Sequence, residues 1–419
     1  MESTSGTPLH DGLIGAAAVT DPAPSPPLRI ALVCPYSLSR PGGVQGQVLG
    51  LARSLGARGH AVTVFAPVDG TGLESEGIEV FATGSSVSLP ANGAMAPVTL
   101  SPRAIARGVR SLRAGRFDVV HVHEPFTPGL PYGLLVGRHL PPLVATFHRS
   151  GGSPFYTAFR PVTRRLARRF AVRCAVSEAA RATASAALGG RYELLFNGVE
   201  IDRFQGVEPW PTERPTVLFL GRHEPRKGLQ VLLDAFDRLG TGDPGGGAGM
   251  APPMLWIAGD GPQTASLRRL HPESPSVRWL GVLSEEEKIR RLTGAQVLCA
   301  PSLGGESFGM VLVEGMAAGA TVVASDIDGY RQAAGGHAVL VPPGDPRSLA
   351  GALTGALTGA LVPPVAGGPT TPTEGGPRPT GGDEPDPEGA LAWASHWSME
   401  RLATCYERLY RAAMVGTPP

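Results

Sequence analysis

Residues 28–65, LRIALVCPYSLSRPGGVQGQVLGLARSLGARGHAVTVF, decide the fold class. The first six form a short, mostly apolar run that stops at Cys34 and Pro35. A loop with Pro41, Gly42 and Gly43 follows. Val44, Val48, Leu51, Ala52 and Leu55 then recur on one helical face. Gly59 ends the helix, and 61–65 reads as a second buried strand. Strand, glycine loop, helix and strand in that order make the βαβ unit of a parallel sheet. The pattern runs on through candidate strands at 119–122, 143–146 and 174–176. It restarts at 216–220, with the loop 221–228 and a helix through Val231, Leu232, Ala235 and Phe236. Further strands at 254–258, 277–280, 297–300 and 321–324 complete two doubly wound α/β domains, residues 28–205 and 206–361.

Composition agrees with two cores. At about 150 residues per domain, the 419-residue chain is too long for one. The 57 Gly and 42 Pro predict long loops beside the folded parts. Residues 1–27 read as a disordered tail, and 240–253 and 362–388 as flexible inserts. A short GALT repeat within 349–361 is too brief for a solenoid. Residues 389–415 return to helix, with Trp393, Trp397, Leu402, Tyr406, Leu409 and Tyr410 as apolar contacts.

With 37 Lys plus Arg against 36 Asp plus Glu, the chain is not built for nucleic acid. The four cysteines form no CxxC pair, so neither a zinc site nor a disulfide scaffold is indicated. A reducing cytoplasm fits, and neither a signal peptide nor a membrane span is recognisable.

Ligands of open α/β sheets bind at the carboxyl ends of strands. Three loops placed there in the second half share a theme. GRHEPRKG at 221–228 sets Arg222 and Lys227 five residues apart, a charge pattern that suits a departing diphosphate. GDGP at 259–262, with Gly259 and Asp260, lets backbone N–H groups approach an anion. GGESFGMVLVE at 304–314 leads a Gly-Gly turn into a helix, with Glu306 in the loop and Glu314 on the helix. Ionised carboxylates only accept hydrogen bonds, which suits sugar and ribose hydroxyls. Alone, each loop reads more readily as solvated surface or a plain turn. Three in chain order, each after a strand, favour a nucleotide-sugar site.

These motifs resemble those of retaining GT-B glycosyltransferases, and GGESFGMVLVEGMAAGATVVAS at 304–325 looks like that family's signature helix. VCPYSLSRPGGVQGQVLGLARSLGARGHAV, FDVVHVHEP, ATFHRS, VLFLGRHEPRKG and CAPSLGGESFG resemble the phosphatidylinositol mannosyltransferases. The likeness covers residues 29–361 and resumes near Trp397.

The resemblance implies two Rossmann-like domains facing across a cleft, with residues 389–415 crossing back to the first. It further implies retention of anomeric configuration without a metal or other cofactor, the donor being a nucleotide sugar, most naturally GDP-mannose. Gly43 would approach the donor diphosphate, and His148 would contact the transferred sugar. His121 and His123 alternate along a strand end, which leaves a structural role open for one or both, and Glu124 would lie nearby. Arg222 and Lys227 would neutralise the leaving group, Glu306 would hold sugar hydroxyls and Glu314 the ribose. Ser307, Phe308, Gly309 and Met310 would complete the pocket through their backbone groups. Asp326 and Asp328 form a DxD that reads better as a structural loop than as a metal site.

The acceptor segment LPANGAMAP at 89–97 keeps Asn92 and Gly93 of the family pattern. It has Ala91 where the resemblance leads one to expect an aromatic residue, and Pro97 where it leads one to expect Arg. Arg103 is the candidate substitute. Arg103, Arg107 and Arg110 share one helical arc, and Arg160, Arg164, Arg165, Arg168, Arg169 and Arg173 form a second basic stretch. These are either solvated faces or attachments to an anionic leaflet, which would place a cytoplasmic enzyme peripherally on the inner face of the membrane. The rival readings are a UDP-sugar enzyme with a soluble acceptor and a silent sugar-nucleotide-binding protein. A dinucleotide oxidoreductase would need GxGxxG after the first strand, and 40–45 lacks that spacing.

Overall fold

The computed structural model describes residues 26–40, 42–70, 77–91, 94–149, 160–240, 252–306, 308–359 and 387–416. The expectations for residues 1–25, for most of both inserts, and for Asn92 and Ser307 therefore lie outside the described residues.

The chain divides into two compact units, residues 1–198 with 399–419, and residues 199–398. In the first, β1 (Arg29–Val33), β2 (Ala61–Ala66), β3 (Glu79–Ala82), β6 (Val119–His123), β7 (Leu143–Phe147), β8 (Phe170–Ala175) and β9 (Glu193–Leu194) form a parallel sheet. Their order is β3-β2-β1-β6-β7-β8-β9. An antiparallel hairpin, β4 (Val87–Ala91) and β5 (Ala94–Val98), stands apart from it. The helices of this unit are α1 (Gly43–Ala57), α2 (Pro102–Ala114), α3 (Leu130–Val136), α4 (Arg160–Ala167) and α5 (Glu178–Leu188).

Alternation along β1 shows why this sheet is covered on both faces. Ile30 and Leu32 pack with Val48, Leu51 and Leu55 of α1. Ala31 and Val33 pack on the other side with Leu112, Leu130 and Leu134. Every second residue of a strand faces the same way, and a parallel sheet buries both sets.

The second unit holds β10 (Thr216–Leu220), β11 (Met254–Ala258), β12 (Val277–Gly281), β13 (Val297–Ala300), β14 (Thr321–Ser325) and β15 (Val339–Val341), in the order β12-β11-β10-β13-β14-β15. Helices α6 (Leu229–Gly240), α7 (Thr264–Leu270), α8 (Glu285–Gly294), α9 (Met310–Ala317), α10 (Asp328–Ala334), α11 (Pro346–Thr358) and α12 (Pro387–Ser395) accompany it. The last helix, α13 (Met399–Val415), belongs to the first unit.

Two boundaries differ from the sequence reading. The first unit ends at Gly198, not near 205, because Ile201 and Phe204 are buried in a short 3-10 turn of the second unit. The terminal segment 389–415 is two helices, not one. Trp393 on α12 donates its indole N–H to the Ala333 carbonyl, and Trp397 meets Phe308 edge to face at 4.6 Å. After Ser398 the chain changes units: Leu402, Tyr406, Leu409 and Tyr410 of α13 join the core formed by β1 and α1. Among the described residues, no helix is long and apolar enough to cross a membrane.

Most of the second basic stretch is committed to the fold. Arg160 and Arg164 donate to the Ala186 and Ala187 carbonyls at the end of α5, and Arg173 donates to Gly189 just beyond it. These are carbonyls that a helix leaves unpaired at its C-terminus, where positive charge is favourable. Arg169 donates to the Leu135 carbonyl at 2.7 Å. Arg165 and Arg168 remain exposed.

Candidate active site

In the first unit the site residues sit where β1, β6 and β7 end. Gln45 folds back from the start of α1 to donate to the Ser37 and Arg40 carbonyls at 3.3 Å each, shaping the loop before that helix. Among the described residues, a Cβ built on Gly43 meets nothing within 4 Å, so their packing does not demand glycine there. Ser37 also donates its N–H to the Pro97 carbonyl at 2.8 Å, which ties the acceptor segment to the loop after β1. Arg103 is exposed on the first turn of α2.

His148 follows β7 directly and is half-buried. Its backbone N–H donates to Glu124 Oε1 at 2.6 Å. Glu124 is buried, with φ of 46°, the left-handed region that a non-glycine residue seldom adopts and that clusters at functional sites. Burial pushes its carboxyl up, against hydrogen bonds from the backbone of His148 and Arg149.

The His148 ring meets His123, with Nε2 to Nδ1 at 2.9 Å. The His123 ring in turn lies 4.2 Å from that of His121. His121 Nδ1 pairs with the Tyr410 hydroxyl at 2.8 Å, and its Nε2 with Thr146 Oγ1 at 2.7 Å. Tyr406 reaches the same threonine oxygen at 2.8 Å. Burial depresses all three imidazoles: His121 to about 3, His148 to about 4, and His123 well below the ordinary range. At neutral pH the cluster is uncharged.

The second unit presents charge instead. Its loop after β10 carries a 3-10 turn, Pro225–Lys227, closed by Gly228 at φ of 68°. A Cβ on Gly228 would collide with the Pro301 carbonyl, so the loop can approach the end of β13 only with glycine there. That approach brings Glu306 to both Lys227 Nζ, at 2.8 Å, and Arg226, at 2.7 Å. Glu224 holds Arg222 at 2.8 Å and Arg226 at 3.0 Å. Three cations against two carboxylates leave one positive charge. Arg226 and Glu224 were missed in the sequence because adjacent charges in a loop read as solvent-facing.

Glu314 lies on α9, and its carboxylate meets Lys288 Nζ of α8 at 3.2 Å. Glu285 holds the same ammonium at 2.9 Å. Burial pulls Lys288 down, but the two carboxylates outweigh it and hold the ammonium above its ordinary range. Lys288 gave no signal in the sequence, since EEEKIRR reads as an exposed helical face.

The loop after β11 is held by its own side chains. Asp260 Oδ1 accepts from Thr264 at 2.6 Å and from the Gly261 N–H at 2.7 Å, which lowers its pKa. Thr264 Oγ1 also meets His223 Nδ1 at 2.7 Å. Gly259, at φ of 119°, runs so close to Gly221 that a Cβ would strike its carbonyl. Gly309 precedes Met310 at the start of α9, and Phe308 is buried against Trp397. Asp326 and Asp328 both pair with Arg331, the structural role favoured by the sequence. Among the described residues, no three His, Cys, Asp or Glu side chains group to hold a metal ion.

The profile described as "Glycosyltransferase Family 4" matches residues 41–203, and "Glycosyl transferases group 1" matches 214–358. The phosphatidyl-myo-inositol mannosyltransferase of Mycobacterium leprae is 40% identical over 340 residues, covering 79% of this chain and 87% of that protein. The protein of the same name from Mycolicibacterium smegmatis is 38% identical over 337 residues, covering 79% and 85%. Among solved structures, Anabaena Alr3699/HepE in complex with UDP and glucose superposes with a TM-score of 0.63 at 19% identity, covering 92% of this chain and 100% of that one. Two parallel α/β units with a charged loop cluster in one and a strand-end histidine in the other fit that fold. The chain belongs to the phosphatidyl-myo-inositol mannosyltransferase-like family of GT-B glycosyltransferases.

Proposed function

We propose that the protein is a retaining, metal-independent hexosyltransferase that moves mannose from GDP-mannose to a lipid-linked or polyol acceptor. The observation that carries this reading is the Lys227–Glu306 pair at the ends of two adjacent strands, flanked by Arg222 and Arg226. A carboxylate and a cation held together there can separate onto a sugar hydroxyl and a diphosphate.

In this reading the acceptor hydroxyl oxygen bonds to the anomeric carbon as the carbon–oxygen bond to phosphate breaks. The electron pair leaves with GDP, and the acceptor proton passes to a departing phosphate oxygen on the same face. Arg222 and Lys227 stabilise the charge that develops on the leaving group. Glu306 accepts from sugar hydroxyls, Glu314 from the ribose, and His148 contacts the transferred sugar. The loop at Gly259 and the start of α9 supply backbone N–H groups.

The names of the relatives support an inositol-bearing acceptor. Ala91 and Pro97 argue that phosphatidylinositol itself is a weak one. A peripheral position on an anionic inner leaflet would accompany a lipid acceptor, with the exposed Arg103, Arg110, Arg165 and Arg168 as its basic groups. The experiment is nucleoside diphosphate release from GDP- and UDP-sugars, each with phosphatidylinositol vesicles, free myo-inositol phosphate or a membrane lipid extract. Release from GDP-mannose with an acceptor present is the expected result. Turnover of UDP-sugars alone would replace the donor. No release from any donor would leave a silent binding protein.

A further inference from the structure

His148 is not held alone, and the groups around it restrict where its proton can sit. His123 Nδ1 and His148 Nε2 are 2.9 Å apart, so one of them donates to the other. The remaining nitrogen of His123, Nε2, is buried with no hydrogen-bond partner among the described residues. A neutral imidazole carries a single N–H. Buried N–H donors are left unpaired less readily than acceptors, so His123 keeps its proton on Nδ1, the partnered nitrogen. That N–H donates to His148 Nε2, and His148 must then carry its own proton on Nδ1.

The layer beneath keeps the geometry fixed. The His121 ring lies tilted against that of His123 and is held at both nitrogens, by Tyr410 of α13 and by Thr146.

We infer that His123 is a positioning residue whose Nδ1–H fixes the His148 tautomer, so that His148 presents Nδ1–H as a hydrogen-bond donor to an oxygen of the transferred sugar. The sugar contact rests on the function proposed above. The tautomer does not.

Two measurements test it. In ligand-free protein labelled with nitrogen-15 histidine, long-range proton–nitrogen spectra should show His148 protonated at Nδ1 and bare at Nε2, its signals assigned by their loss in His148→Gln. A proton on Nε2 overturns the inference whether or not any donor is turned over. The second compares His123→Leu with His123→Asn, whose amide keeps a donor near the lost Nδ1. His123→Leu should lower kcat by about 10²-fold with KM for the donor unchanged, and His123→Asn should restore most of it.

The acid limb of kcat should also move upward in His123→Leu, because His148 loses the donor that stabilised its neutral ring. Among the described residues, the ionisable groups beside His148 are His121, His123 and Glu124, with Arg149 next in the chain. All of them but His123 are kept in both variants. Equal losses in the two variants, or an acid limb that stays in place, would reduce His123 to a packing residue. Failure of every donor would sink the proposed function and leave the spectroscopic result standing.

Discussion

The two units share an architecture yet prepare their strand ends in opposite ways. The first sets two buried neutral histidines, a half-buried third and two tyrosines in a layer whose hydrogen bonds are closed by α13. The second arrays Arg222, Arg226, Lys227 and Lys288 against Glu224, Glu306, Glu285 and Glu314. A desolvated neutral network is rigid, because each group has a fixed partner and an unpaired one is costly. An ion-paired cluster can exchange its partners, since an incoming diphosphate or hydroxyl replaces what it displaces. The contrast separates orientation from charge stabilisation.

The largest expected effect falls on the neutral side. Ending the chain at Ser398 removes Leu402, Tyr406, Leu409 and Tyr410, all buried in the first core. At about 1.5–3 kcal/mol for each large apolar side chain, the loss rivals the whole stability of a domain, about 5–15 kcal/mol. The first unit should lose its cooperative melting while the second keeps its own. A truncated chain that melts like the full one would show that α13 is dispensable.

On the charged side, Lys227→Ala should lower kcat by about 10²–10³-fold with the melting temperature little changed. Undiminished turnover in a folded variant would remove Lys227 from the clamp. A smaller effect is expected from Lys288→Met, which leaves Glu314 without its cation. The loss of a hydrogen bond to a charged group, about 1.5–3 kcal/mol, should appear mainly as a raised KM for the donor. An effect on kcat alone would separate Glu314 from donor binding.

The smallest effect is the pH dependence of the histidine layer. Its folded pKa values lie below the unfolded value, so the unfolded chain binds more protons as the solution is acidified. The stability is fully present above pH ~6.5 and is lost as pH falls toward the folded value of His148, about 4. The melting temperature of the first unit should drop across that interval, and His121→Gln should reduce the drop. A flat profile would mean that the imidazoles are not desolvated.

How much of this was legible depended on the range of the interaction. The strands 216–220, 254–258 and 297–300 coincide with β10, β11 and β13, because a central parallel strand is apolar on both faces. The shorter strands β3, β9 and β15 and the β4–β5 hairpin were not marked. They have two to five residues each, and little periodicity fits in so short a span. His148, Arg222, Lys227, Glu306 and Glu314 could be singled out because strand-end loops carry ligands in this kind of sheet.

The sequence by itself determined what local patterns encode: two doubly wound units, the glycine-bounded loops and the residue types at the strand ends. Tertiary structure decided the partners. Only folding brings Glu306 to Lys227 across about 80 residues of chain, Lys288 to Glu314, and Tyr410 to His121 across 289 positions. It also parts Trp397 from Met399 into different units, although the same apolar helical pattern runs through both. Hydrophobic periodicity reports that a face will be buried. It carries no record of which surface buries it, because the driving force is non-directional and partner choice rests on contacts between distant segments.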